Sequence, residues 1–137
     1  MIRHSKTTSE AARIGMVVPS MRGGGAERVM AILANEFANK GYQVDLILAK
    51  AEGPYLSWID SRVHIIDLNV SKVSRGIRKL GQYFQQNSPD TILVNDRHTS
   101  LITFIAKRVS KSNTKIVCRL PSTLRSNNYG MKDQLIN

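Results

Sequence analysis

The chain has 137 residues, of which 42% are hydrophobic and 22% are charged, a composition that excludes a disordered chain and fits one globular domain with a core. Twenty lysines and arginines against ten acidic residues give a net charge of +10, which favours phosphates, nucleic acid or an anionic bilayer as partners. A single cysteine, Cys118, excludes a disulfide framework and suits a reducing compartment such as the cytoplasm. No apolar run approaches the roughly 18 residues of a membrane-spanning helix, and the first residues lack the apolar core of an export signal.

The first half of the sequence alternates between strand and helix patterns. Residues 1–12 are polar and without periodicity, and we expect a disordered leader there. The apolar, β-branched run at 13–19, closed by proline, predicts a strand buried on both faces. Helical spacing of apolar residues from Ala26 to the Asn-Lys-Gly at 39–41 predicts a helix, and 44–48 a second strand.

The same alternation continues to the end of the chain. We predict strands at 63–68, 91–94 and 115–118 and helices at 73–84 and 100–109. Five strands alternating with helices predict an α/β, Rossmann-like, doubly wound parallel sheet over residues 13–137. Ligands bind such a sheet where the carboxyl ends of the strands open, which directs attention to the loops at 20–25, 49–55, 95–99 and 119–125.

Three consecutive glycines, Gly23, Gly24 and Gly25, lie between the first strand and the first helix. Unobstructed backbone N–H groups and the positive end of a helix dipole suit a phosphate there, whereas a simple tight turn is the alternative. The spacing matches neither G-x-G-x-x-G nor a P-loop, and the second strand ends in Ala-Lys rather than in an acidic residue. An NAD site is therefore disfavoured. NADP remains an alternative only because Lys50 could contact its 2′-phosphate.

The stretch VPSMRGGGAERVMAILANEFANKGYQVDLILAKAEGPYL, with VHIIDL, SPDTILVN and KIVCRL after it, resembles the N-terminal domain of retaining GT-B glycosyltransferases of family four. This resemblance implies one half of a GT-B fold, in which an acceptor-side domain faces a donor-binding domain across a cleft. It implies transfer of a sugar from a nucleotide-sugar donor, such as a UDP-sugar, to a polysaccharide or a lipid-linked acceptor. It implies no bound cofactor, and the sequence shows no ligand spacing for a metal.

The resemblance also assigns roles to residues of the first helix and its loop. The three glycines would approach the donor diphosphate. Glu27 would balance the charge of the helix start, and Arg28 would either face the cleft or be solvated.

Further candidates follow strands four and five. Asp96 or His98 would orient an acceptor hydroxyl or accept its proton, although a polar loop with a helix cap at Thr99 or Ser100 is the alternative. Arg119 stands where many members of the family place a histidine, and it is a candidate anion contact.

The donor-binding half implied by the resemblance would need roughly another 150 residues. We therefore expect the 137 residues alone to lack transferase activity, as a domain, a truncated gene product or a half that meets a partner subunit. A non-catalytic binding or regulatory module is the alternative. Nucleic-acid binding is disfavoured, because no helix-turn-helix or zinc pattern appears and only 6% of residues are aromatic.

The predicted helix at 73–84, with Lys72 before it, has an apolar face and a basic face. The apolar residues are Val73, Ile77, Leu80 and Phe84, and the basic residues are Lys72, Arg75, Arg78 and Lys79. Such a helix either lies on an anionic leaflet, at the inner face of the membrane, or packs on the sheet with a solvated basic face.

Overall fold

Parallel strands and helices alternate through residues 11–119, which are the residues that the computed structural model describes. The strands are β1 (Arg13–Val18), β2 (Gln43–Leu48), β3 (His64–Asp67), β4 (Thr91–Val94) and β5 (Lys115–Cys118). The α-helices are α1 (Gly25–Asn39), α2 (Ile77–Asn87) and α3 (Arg97–Ser110), and short 3-10 helices span Pro54–Trp58 and Val73–Gly76. The predicted α/β class and all five predicted strands are confirmed.

The strands form one sheet in the order β3-β2-β1-β4-β5, and every neighbouring pair is parallel. The chain builds outward from β1 to β3 and then returns to add β4 on the other side of β1. The strand order therefore reverses between β1 and β4. In open α/β sheets the ligand crevice lies at this reversal, outside the carboxyl ends of the strands.

Two apolar layers cover the two faces of the sheet, because successive strand side chains point to opposite faces. In β1, Met16 and Val18 face α1, whereas Val17 faces α2 and α3. The α1 side contains Met30, Ala31, Ala34, Leu46 and Leu48. The α2 and α3 side contains Ile47, Leu80, Phe84, Ile92, Val94, Ile102 and Ala106. Burial of β1 on both faces, predicted from its sequence, is confirmed from Gly15 to Val18.

The helix predicted at 73–84 is divided in two. A 3-10 turn at Val73–Gly76 precedes α2, which continues to Asn87. Gly76 is buried, and a Cβ built on it would lie 3.0 Å from Cδ1 of Leu68. Packing of this turn on the segment after β3 therefore interrupts a helix whose apolar spacing alone looked continuous.

Within residues 11–119, no helix is both long enough and apolar enough to cross a membrane. The predicted leader falls mostly on residues 1–10, and most of the loop predicted at 119–125 falls on residues 120–137. Both ranges lie outside the described residues.

Candidate functional site

The glycine loop lies at the carboxyl end of β1 and leads directly into α1. Gly23 has φ 141° and Gly24 has φ 114°, values in the region that favours glycine. A Cβ built on Gly23 or Gly25 would meet nothing within 4 Å. Gly24 is the N-cap of α1 and makes no side-chain cap hydrogen bond, so the first amides of the helix are left for another acceptor.

The carboxylate of Glu27 lies over the start of α1. A Cβ built on Gly24 would lie 2.9 Å from Oε1 of Glu27. This position agrees with the predicted balance of the helix charge, because a carboxylate in the first turn is stabilised by the helix dipole. A phosphate at the same place would have to displace the carboxylate.

Arg28 makes a contact that the sequence did not predict. Its guanidinium carbon lies 5.9 Å from the ring centroid of Trp58, a cation–π distance. Tyr55 meets the same indole edge to face, with centroids 4.7 Å apart, and the amide of Asn35 donates to the carbonyl of Trp58 at 2.9 Å. The guanidinium is thus exposed yet stacked on an aromatic ring.

Asp96 caps α3 with both carboxylate oxygens. Oδ1 accepts from the amide of Thr99 at 2.7 Å, and Oδ2 accepts from the hydroxyl of Thr99 at 3.1 Å. The predicted cap at Thr99 or Ser100 is therefore wrong: Asp96 is the cap and the helix begins at Arg97, three residues earlier than predicted. His98 consequently lies in the first turn of α3, with an exposed side chain.

Arg119 lies against the end of β4. Its amide donates to the carbonyl of Val94 at 2.8 Å, and Nη1 donates to Oδ1 of Asn95 at 2.9 Å. Asn95 is buried, with only 5% of its surface exposed. The structure thus brings Arg119 and Asn95 together beside the cap of α3, while the glycine loop follows the neighbouring strand β1.

The loop after β2 holds the base of the glycine loop, and Lys50, named only for an NADP site, was the one residue singled out in it. The amide of Met21 donates to the carbonyl of Glu52 at 2.9 Å, and the amide of Tyr55 donates to the carbonyl of Met21 at 3.1 Å. The side chains of Arg22 and Glu52 form an ion pair. The loop was singled out from the sequence only by its place after a strand, and the Gly-Pro pair at 53–54 is a further turn signal that could have marked it.

Across residues 11–119, no group of three or more His, Cys, Asp or Glu side chains is arranged to hold a metal ion. The candidate site of the described residues consists of the backbone amides of the glycine loop, the guanidinium groups of Arg28 and Arg119, the capping carboxylate of Asp96 and the imidazole of His98.

The five-stranded parallel sheet with helices on both faces is the Rossmann-like α/β fold of one half of a GT-B glycosyltransferase. A family described as Glycosyltransferase Family 4 matches residues 23–129, and the chain belongs to that family. No curated protein matches the chain.

Solved structures support the same fold. A lipopolysaccharide outer core galactosyltransferase, WaaB, in its apo form is 16% identical with a TM-score of 0.62, over 79% of this chain and 33% of its own. A glycosyltransferase from Rickettsia africae ESF-5 is 16% identical with a TM-score of 0.63, over 88% of this chain and 34% of its own. TcCGT1 in complex with UDP is 12% identical with a TM-score of 0.61, over 93% of this chain and 33% of its own. The chain thus spans about a third of the length of each of these structures.

Proposed function

We propose that this chain is the acceptor-side half of a glycosyltransferase that moves a sugar from a nucleotide-sugar donor to a glycan or lipid-linked acceptor. The observation that carries the proposal is the open glycine loop, which leads into a helix start without a side-chain cap at the carboxyl end of β1. Backbone amides at such a helix start suit a diphosphate. A structure of similar fold, TcCGT1, is in complex with UDP, which supports a uridine nucleotide as the donor carrier.

Within this proposal, His98 is a better candidate than Asp96 for contact with the acceptor hydroxyl. The Asp96 carboxylate accepts two hydrogen bonds from Thr99, whereas the His98 imidazole is exposed one residue into α3. An imidazole at this edge of the sheet has the chemistry of a general base towards an attacking hydroxyl. Arg119 supplies positive charge at the same edge of the sheet, where its guanidinium is bonded to Asn95.

The proposed diphosphate contact is tested by titrating the isotope-labelled chain with UDP and with inorganic pyrophosphate, while following backbone amides by NMR. We expect the largest shifts at Gly23, Gly24, Gly25 and the first turn of α1 with both probes. Uridine without phosphates is the control, and it should leave the resonances of these amides unchanged. Shifts confined to other loops, or equal shifts with uridine, would contradict the proposal.

We also propose that the protein works at the cytoplasmic face of a membrane, with a basic surface formed by Lys72, Arg75 and Arg78 towards anionic lipid. All three side chains are exposed. Val73, Leu80 and Phe84, which would have been the inserting face, are instead buried in the core. The contact would therefore be electrostatic, without insertion of a helix into the bilayer.

A further inference from the structure

Gly53 lies against the backbone of the glycine loop more closely than a side chain would allow. A Cβ built on Gly53 would lie 2.1 Å from the carbonyl carbon and oxygen of Met21 and 2.3 Å from the amide nitrogen of Arg22. These are backbone atoms, so no side-chain rotation relieves the collision. Gly53 also has φ 121°, in the region that favours glycine.

Hydrogen bonds fix the same contact from both sides of Gly53. The carbonyl of Glu52 accepts from the amide of Met21, and the amide of Tyr55 donates to the carbonyl of Met21. Both backbone polar groups of Met21 are therefore bound to one loop. The side chain of Met21 is fully buried in the α1 core. The ion pair between Arg22 and Glu52 joins the two loops once more.

Two of the glycines that follow this base are loosely surrounded. Positions Gly23 and Gly25 have open space around them, so the base at Met21 and Arg22 sets the direction in which the glycine amides point. We expect movement of that base to move the glycine amides with it.

We propose that Gly53 is a positioning residue for the glycine loop, and that its lack of a side chain fixes the amides of residues 23–25 for a diphosphate. The diphosphate part of this inference rests on the function proposed above, whereas the positioning part does not. A side chain at position 53 would push the backbone of Met21 and Arg22 away from the loop after β2. A small displacement of binding groups is enough to lose much of an oriented interaction.

The test compares Gly53→Ala with Gly41→Ala. Gly41 also has a positive φ, 94°, but a Cβ there would meet nothing within 4 Å, so both variants share the backbone strain and only Gly53→Ala adds the collision. We expect Gly41→Ala to lower Tm by a few degrees and Gly53→Ala to lower it further, because the collision adds to the strain. Only Gly53→Ala should shift the amide resonances of residues 21–25 and weaken UDP binding by about tenfold or more.

Unchanged resonances of residues 21–25 in folded Gly53→Ala would overturn the proposal. If that variant does not fold, Glu52→Gln replaces it: loss of the ion pair with Arg22 should shift the same amides by a smaller amount, and no shift would again overturn the proposal. If the wild-type chain binds neither UDP nor pyrophosphate, the proposed function fails. The resonances of residues 21–25 still decide whether Gly53 positions the loop.

Discussion

Asp45 is a carboxylate with 1% of its surface exposed, at the amino end of the sheet, opposite the candidate site. Arg13 Nη1 donates to its two oxygens at 3.1 and 2.9 Å, and the Tyr83 hydroxyl donates to Oδ2 at 2.6 Å. His64 Nδ1 lies 3.3 Å from Oδ1. A buried charge is tolerated only when it is paired and hydrogen-bonded, so this cluster joins β1, β2, β3 and α2.

Replacing Tyr83 with phenylalanine should remove one of these bonds and leave the carboxylate with fewer donors. We expect the free energy of unfolding to fall by about 2 kcal/mol, as for a buried hydrogen bond to a charged group. Urea unfolding at pH 8 measures the change. Tyr42→Phe is the control, because Tyr42 is 41% exposed, and it should change stability by less than about 0.5 kcal/mol.

The same tyrosine makes stability depend on alkaline pH. Burial, and then the hydrogen bond to Asp45, raise the pKa of the Tyr83 phenol above its ordinary value. A raised folded-state pKa means that the stabilisation is fully present below the unfolded pKa, near 10, and is lost as the pH rises above it. The difference in unfolding free energy between wild type and Tyr83→Phe should shrink by about 1.4 kcal/mol between pH 8 and pH 11. A difference that stays constant with pH would contradict this assignment.

Asp96 offers a test that separates the hydrogen bonds of the helix cap from its negative charge. Asp96→Ala should lower the free energy of unfolding by about 1 kcal/mol, because the first amides of α3 lose their acceptor, whereas Asp96→Asn should cost less, since asparagine caps almost as well. Thermal unfolding of both variants measures this. Equal losses in the two variants would show that the negative charge, and not the cap, stabilises the helix.

At the scale of elements, the basic surface around α2 should bind anionic vesicles through charge alone. We expect Arg75→Glu with Arg78→Glu to abolish sedimentation with phosphatidylglycerol vesicles, and raised salt to weaken wild-type binding. Lys79 is left unchanged because its ammonium donates to the carbonyl of Leu68 at 2.8 Å. The control is Lys40→Glu with Lys115→Glu, which makes the same charge change on two other exposed residues. Equal loss in both pairs would mean that net charge, and not this surface, binds the lipid.

Periodicity located the elements well and their boundaries less well. The spacing of apolar residues found α1 because one face of the helix is buried, and the strand runs found all five strands. The start of α3 was missed because Asp96, counted as a loop residue with possible chemistry, is the residue that caps the helix. The break before α2 depends on packing of Gly76 against Leu68, a contact between segments that local spacing does not contain.

At the scale of the whole molecule, sheet order predicts where the fold opens first. β1 has a strand on each side, whereas β3 pairs only with β2 among the described strands, and both His64 and Ile65 are exposed. We expect hydrogen exchange to be slowest in β1 and markedly faster in β3, because edge regions open locally without global unfolding. Exchange in β3 as slow as in β1 would contradict this order.

The similar solved structures are about three times as long as the part that this chain covers. We therefore expect the transferase-competent protein to include a donor-binding half, in the same polypeptide or in a partner subunit. Native mass spectrometry of the protein from its own cell should give an assembly well above 15.3 kDa. A 15.3 kDa monomer that transfers sugar from a nucleotide-sugar would contradict this expectation.

The sequence by itself determined the α/β class, the five strands, the place of the glycine loop and the family. Burial of strands and of one helix face produces a regular spacing of apolar residues, and the glycine motif is contained in a short stretch of chain. Only the tertiary structure decided that Arg28 stacks on Trp58, that Arg119 meets Asn95, and that Gly53 supports the glycine loop. Each of these contacts joins segments that are far apart in the chain. Their geometry depends on how the strands are ordered, and sequence spacing carries no information about that order.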